Sequence, residues 1–136
     1  MSICKGGKTM VKLNYADGKN EISNESGVQV IGSKAPDSKG LSPKELLEGA
    51  VALCISITLE KILERDKIIV NLNELEIEVK ATKSEGITNR FTDFEAQVIL
   101  PKDIDEDYNK LVKLIERGCT ISNTLIKEAK VELIVK

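Results

Sequence analysis

Residues 42–65 read SPKELLEGAVALCISITLEKILER. Ser42, Pro43 and Glu45 open the stretch with three helix-start signals together. Ser42 can accept a hydrogen bond from a free N–H of the first turn, and Pro43 suits the first helical position. Glu45 can reach back to the Ser42 N–H and complete a capping box. The pattern predicts a helix running to about Arg65. Its middle, residues 50–59, is apolar on nearly every side and is interrupted only by Ser56 and Thr58. A helix of that kind must be enclosed by protein rather than lie on a surface, and Cys54 stands at its centre.

The flanking segments supply part of that enclosure. Upstream, TMVKLNYA alternates in part, Asp17-Gly18 is a hairpin-turn signal, and GVQVIG is a further strand candidate. The stretch GSKAPDSKG, residues 32–40, has the composition of a loop. Downstream, LNELEIEVKAT puts Leu75, Ile77 and Val79 on one face and Glu74, Glu76, Glu78 and Lys80 on the other. FTDFEAQVILP predicts a second strand over residues 90–100, ended by Pro101. DIDEDYNKLVKLIERG predicts a helix over 103–118, with Leu111, Leu114 and Ile115 as its apolar stripe and Gly118 as its stop. A short helix in TISNTLIKEA and a last strand in KVELIVK follow. The order describes one α+β domain, residues 1–136, with antiparallel sheet. One small sheet cannot cover a helix that is apolar all round, so a homodimer is expected.

Composition removes several function classes. The 136 residues carry 31% charged side chains and a net charge of only -2, with 3% aromatics and no Trp. A nucleic-acid partner would require a basic excess or stacking rings, and neither is present. No run of about 18 uncharged apolar residues occurs, so no membrane span is expected. The start, MSICKGGKTMVKL, lacks the apolar core of a signal peptide. The expected location is the cytoplasm, where thiols are normally kept reduced and disulfides are transient. The chain has no histidine. That excludes Ser–His and Cys–His catalysis and imidazole zinc sites. Three cysteines without a C-x-x-C pair argue against a metal or iron–sulfur site, and no cofactor is expected.

The two internal cysteines carry a resemblance. SPKELLEGAVALC resembles the P-x-E-L-L-x-x-A-x-x-x-C signature of the OsmC-like proteins, which include the organic hydroperoxide resistance proteins. CTISNTL, residues 119–125, is similar to the family's second cysteine signature, and NRFTDFEAQVIL resembles its strand after the central helix. The resemblance implies antiparallel sheets wrapped around long central helices in an intertwined homodimer. It also implies a thiol peroxidase acting on organic hydroperoxides or hydrogen peroxide, with Cys54 attacking, Cys119 resolving through a Cys54–Cys119 disulfide, and an external thiol as reductant. The alternative is a non-catalytic or weakly redox-active dimer that binds a small apolar molecule in the interface cleft.

An attacking thiolate buried among hydrocarbon needs help, because burial raises a thiol's pKa above its ordinary value of about 8.5. The peroxidase members use an arginine in a Gly-Gly-Arg-like segment, held by a glutamate. This chain has KGGK there, so Lys8 is the candidate stand-in, with Arg90 as a second candidate cation. Glu45 is nine residues before Cys54, a rotation of about 900° on a helix, which puts the two on opposite sides. Glu45 is therefore read first as a cap and second as a thiolate stabiliser. Each residue also has a plainer reading. Cys54 could be an inert core residue, Arg90 a surface ion-pair partner, and Thr120, Ser122 and Asn123 caps of the short helix. That polar run could also hydrogen-bond a sulfenate or a substrate oxygen. Cys4 has no assigned role.

Overall fold

The computed structural model describes residues 10–37, 39–104 and 107–136. The chain packs as two compact units, Met1–Gly49 and Ala50–Lys136. In the first, β1 (Lys12–Ala16), β2 (Lys19–Ser23) and β3 (Gln29–Gly32) form an antiparallel sheet in that order. Asp17 and Gly18 both have positive φ, 51° and 77°. Two such residues in succession give the turn whose twist matches the strands on either side, and that is why Asp-Gly closes the first hairpin. Asn24 shapes the second connection, its Oδ1 accepting from the N–H groups of Ser26 and Val28. The expected loop over 32–40 is held by Asp37, which accepts from the Ser33 hydroxyl and the Lys39 and Gly40 N–H groups.

The long helix α1 spans Pro43–Arg65, as the sequence predicts. Its capping box is formed in both directions. The Ser42 N–H donates to Glu45 Oε1 at 2.9 Å, and the Glu45 N–H donates to Ser42 Oγ at 3.2 Å.

In the second unit, Val51, Cys54, Ile55, Leu59, Ile62 and Leu63 of α1 form the middle of the core. A single turn of 3-10 helix, Leu72–Glu74, leads into β4 (Glu76–Thr82), which pairs antiparallel with β5 (Asp93–Ile99). Ile77 and Val79 pack with Phe94 and Val98 against the core cluster, while Glu76, Glu78 and Lys80 are exposed. The period-two reading of β4 is therefore the observed one. Helix α2 covers Tyr108–Gly118 and α3 Thr120–Leu125. Helix α2 begins later than the expected residue 103. Ile104 is buried in a turn whose N–H donates to the Pro101 carbonyl, and Asp107 caps the helix by accepting from the Asn109 N–H. Core burial of Ile104 thus takes the residues that the charge pattern had placed in the first helical turn.

Within this single chain Leu53, one residue before Cys54, is 61% exposed, so α1 is not covered all round. One expectation meets a different outcome. KVELIVK forms no strand. Val131, Leu133 and Val135 are exposed, Val135 to 96%. An extended segment gains a ladder only beside another strand, and no strand among the described residues pairs with it. No helix among the described residues is long and apolar enough to cross a membrane.

Candidate active site

The site is built where α1 meets the junction of α2 and α3. Cys119 is the last cap of α2 and the first of α3. Its N–H donates to the Ile115 carbonyl at 2.9 Å, and its own carbonyl accepts from the Asn123 N–H at 3.0 Å. The residue before it is a glycine for reasons of space. A Cβ on Gly118 would sit 3.0 Å from the Thr58 Cγ2, tighter than ordinary packing allows. Gly118 is itself helical and its φ is not positive. It ends α2 as expected, but its use is the close approach to α1, which carries Cys119 to Cys54.

Both cysteines are free and buried, 5% exposed for Cys54 and 1% for Cys119. They act on one another, the Cys119 thiol favouring a charged Cys54 and Cys54 disfavouring a charged Cys119. Their protons are held unequally. Burial acts against a Cys54 thiolate, but the Ile121 N–H, the Cys119 S–H, the Thr120 N–H and the Thr58 hydroxyl favour it. These donors outweigh burial and hold the Cys54 thiol below its ordinary range. Cys119 goes the other way. Burial pushes it up, the Ser122 hydroxyl 3.1 Å from its sulfur works against that, and the neighbouring Cys54 pushes it up again. The two environments thus act in opposite directions, toward the thiolate at Cys54 and toward the thiol at Cys119.

Thr58 has two uses for one proton. Its Oγ1 lies 2.7 Å from the Cys54 carbonyl oxygen, one turn back along α1, and also within reach of the sulfur. A hydroxyl donates to one acceptor at a time.

The other candidate residues are placed as follows. Arg90 is exposed and lines a cavity of about 600 Å³ that Cys119 also lines, together with Glu116, Ser122, Phe91 and Phe94. Glu45 has its carboxylate engaged with the Ser42 N–H. Lys8 and Cys4 lie outside the described residues. The sequence reading named candidate cations and did not foresee the two main-chain N–H groups, the thiol and the hydroxyl that also favour the Cys54 thiolate. Main-chain donors leave no mark in a sequence. The visible signals were Thr58, four residues after Cys54, and the polar run after Cys119.

Two neighbouring thiols, one favoured as thiolate and the other kept protonated, are placed to be joined as a disulfide, about 2.05 Å between sulfurs, when an oxidant such as a peroxide takes two electrons from the pair. The ionised sulfur can attack first while the protonated one waits.

Comparison with known proteins bears on the family and the fold. Residues 36–134 match the family model described as OsmC-like protein. The chain is 27% identical over 134 residues to the uncharacterized protein YmaD of Bacillus subtilis (strain 168), covering 90% of this chain and 89% of that one. Among solved structures, the OsmC like protein from Mycoplasma pneumoniae aligns with a TM-score of 0.71 at 18% identity, over 91% of this chain and 89% of that one. The organic hydroperoxide resistance protein OhrB of Bacillus subtilis aligns with a TM-score of 0.51 at 25% identity, over 85% and 87%. The structural likeness at 18% identity shows a shared fold alone, whereas the family model spans most of the chain. The chain belongs to the OsmC-like protein family.

Proposed function

We propose that this protein is a thiol-dependent peroxidase that reduces organic hydroperoxides or hydrogen peroxide, with Cys54 as the attacking residue and Cys119 as the resolving one. The observation that carries the reading is the unequal pair itself, a buried thiol surrounded by hydrogen-bond donors and touching a second thiol that stays protonated. The family includes proteins named for hydroperoxide resistance, OhrB of Bacillus subtilis among them, which supports peroxide as the substrate class. The Cys54 thiolate attacks one peroxide oxygen, the O–O bond breaks, and the alcohol or water leaves with a proton. Cys54 is then a sulfenic acid. The Cys119 sulfur attacks it, water leaves, and the two sulfurs are joined. An external thiol reduces the disulfide by exchange.

The working unit in this reading is a homodimer. A second copy would cover Leu53 and pair with residues 130–136, which join no sheet among the described residues. Sedimentation of the full chain against one ending at Lys127 tests that assembly, and equal masses would overturn it.

The chemistry is tested by the intact mass of the reduced protein after one equivalent of cumene hydroperoxide or hydrogen peroxide. Loss of two hydrogens, restored by a dithiol, is expected. Cys119→Ser should instead gain one oxygen, on Cys54. An unchanged mass with both peroxides overturns the reading. It would favour a binding role for the apolar cavity of about 400 Å³ lined by Ile55, Val98, Leu100, Leu111 and Ile115.

A further inference from the structure

Thr58 is placed by its methyl group. The Cγ2 packs so closely against Gly118 that a Cβ there would come within 3.0 Å of it. A threonine in a helix chooses between two χ1 rotamers, and here Oγ1 turns back to the Cys54 carbonyl while Cγ2 faces Gly118. There Oγ1 lies 2.7 Å from the Cys54 carbonyl oxygen, one turn along from Cys54, and the hydroxyl is among the groups that favour the Cys54 thiolate. The carbonyl does not depend on it, because within α1 the same oxygen takes the Thr58 main-chain N–H.

We propose that the Thr58 hydroxyl is a two-position donor, resting on the Cys54 carbonyl while the sulfur holds its proton and turning onto the sulfur once that proton has gone. Only the hydroxyl hydrogen moves, by rotation about the Cβ–Oγ1 bond, while the methyl wedge keeps the oxygen in place. The gain comes from the difference between acceptors, since a hydrogen bond to a charged sulfur is stronger than one to an already bonded carbonyl. The other donors on Cys54 are fixed main-chain groups of Thr120 and Ile121 and the Cys119 thiol. Thr58 is thus the one carbon-borne hydroxyl among them that answers to the charge. Among the described residues, the titratable group facing the Cys54 sulfur is Cys119. Arg90 and Glu116 line the cavity beside Cys119, and the charged residues of β4 are exposed.

The inference takes its purpose from the peroxidase reading, but its test uses no peroxide. The reduced full chain is treated with iodoacetamide across a range of pH, and alkylation at Cys54 is read from its peptide by mass. Thr58→Val keeps the shape and the methyl wedge and removes the hydroxyl. Its alkylation midpoint should move to higher pH, with the rate near neutrality falling on the order of fivefold and the plateau at high pH undiminished. Thr58→Ser, which keeps the hydroxyl and drops the methyl, should restore most of the wild-type midpoint. A Thr58→Val midpoint equal to wild type overturns the inference. Equal shifts in the Val and Ser variants overturn it too, since they would assign the effect to the methyl wedge alone. A protein that consumed no peroxide would still give this titration, so the two readings fail separately.

Discussion

Cys54 and Cys119 are both free, both buried and in contact, yet one sulfur favours its charged form and the other resists it. They differ in what points at them. Cys54, in the middle of a helix, cannot use its own main chain as a donor, and the start of α3 supplies two N–H groups from outside. Cys119, at the head of α3, has the Ser122 hydroxyl and main-chain N–H to help it, but it also faces the charge on Cys54. Position in the chain therefore sets the order of attack. The residue at the junction organises the donors, and the residue on the neighbouring helix receives them.

The strongest way to break the comparison is to remove each sulfur in turn. Cys54→Ser should lower peroxide consumption by on the order of 10³-fold or more, as loss of a nucleophile does. Cys119→Ser should still complete a first turnover and then stop, with a sulfenic acid on Cys54 that dimedone traps. A coupled assay with a dithiol reductant separates the two patterns. Equal residual rates in the two variants would contradict the assigned roles.

Gly118→Ala leaves both sulfurs present and changes their approach. The new methyl group meets the Thr58 Cγ2, and overpacking of this kind costs about 1–3 kcal/mol. If the strain is relieved by moving α2 outward, Cys119 moves with it, and a misplacement of about 1 Å can slow a proximity-dependent step by about 10²-fold. Urea unfolding should show the loss of stability, and quenched mass measurements should show sulfenic acid outlasting its wild-type lifetime. Unchanged disulfide formation would mean that the Gly118 contact does not set the distance between the sulfurs.

The unequal protons also give stability a pH signature. The Cys54 value is lowered in the fold, so its contribution is complete above the unfolded value, about 8.5, and is lost as pH falls through the folded value. The Cys119 value is raised, so its contribution is complete below the unfolded value and is lost as pH rises through the folded one. Their sum crests near the ordinary thiol pKa. In urea midpoints of the reduced protein, Cys54→Ser should flatten the limb below the crest relative to wild type, and Cys119→Ser the limb above it. A wild-type curve parallel to both variants would show that the two environments are alike after all.

Much of the arrangement was legible in residues 42–65 alone. The capping box, the span of α1 and the central place of Cys54 follow from side chains with strong local preferences, and the structure keeps them. The faces of β4 were legible because β5 and α1 are there to use them. KVELIVK also alternates, apart from Ile134, and forms no strand in this chain, because a period of two fixes which side chains share a face and says nothing about whether a neighbouring strand exists. Gly118 was legible as a stop, but not as a contact, since the need for it lies 60 residues earlier at Thr58. The donors on Cys54 were the least legible, because two of them are main-chain groups that any sequence could offer.

The smallest test acts on the weaker side of the pair. Ser122 Oγ lies 3.1 Å from the Cys119 sulfur and donates to it. In the resting pair this bond eases the burial of Cys119, and after peroxide attack it serves a second purpose. Cys119 must then give up its proton to attack the Cys54 sulfenic acid, and the charge on Cys54 that had resisted ionisation is gone. The Ser122 hydroxyl and N–H remain as local stabilisers of the new thiolate. Ser122→Ala removes the hydroxyl and leaves the N–H. A hydrogen bond of about 1 kcal/mol corresponds to a change on the order of fivefold. Disulfide formation should slow by that factor while the first attack at Cys54 keeps its wild-type rate, both read by rapid quench and mass. A slowed first attack would place Ser122 on the wrong sulfur and make the two environments less distinct than their hydrogen bonds indicate.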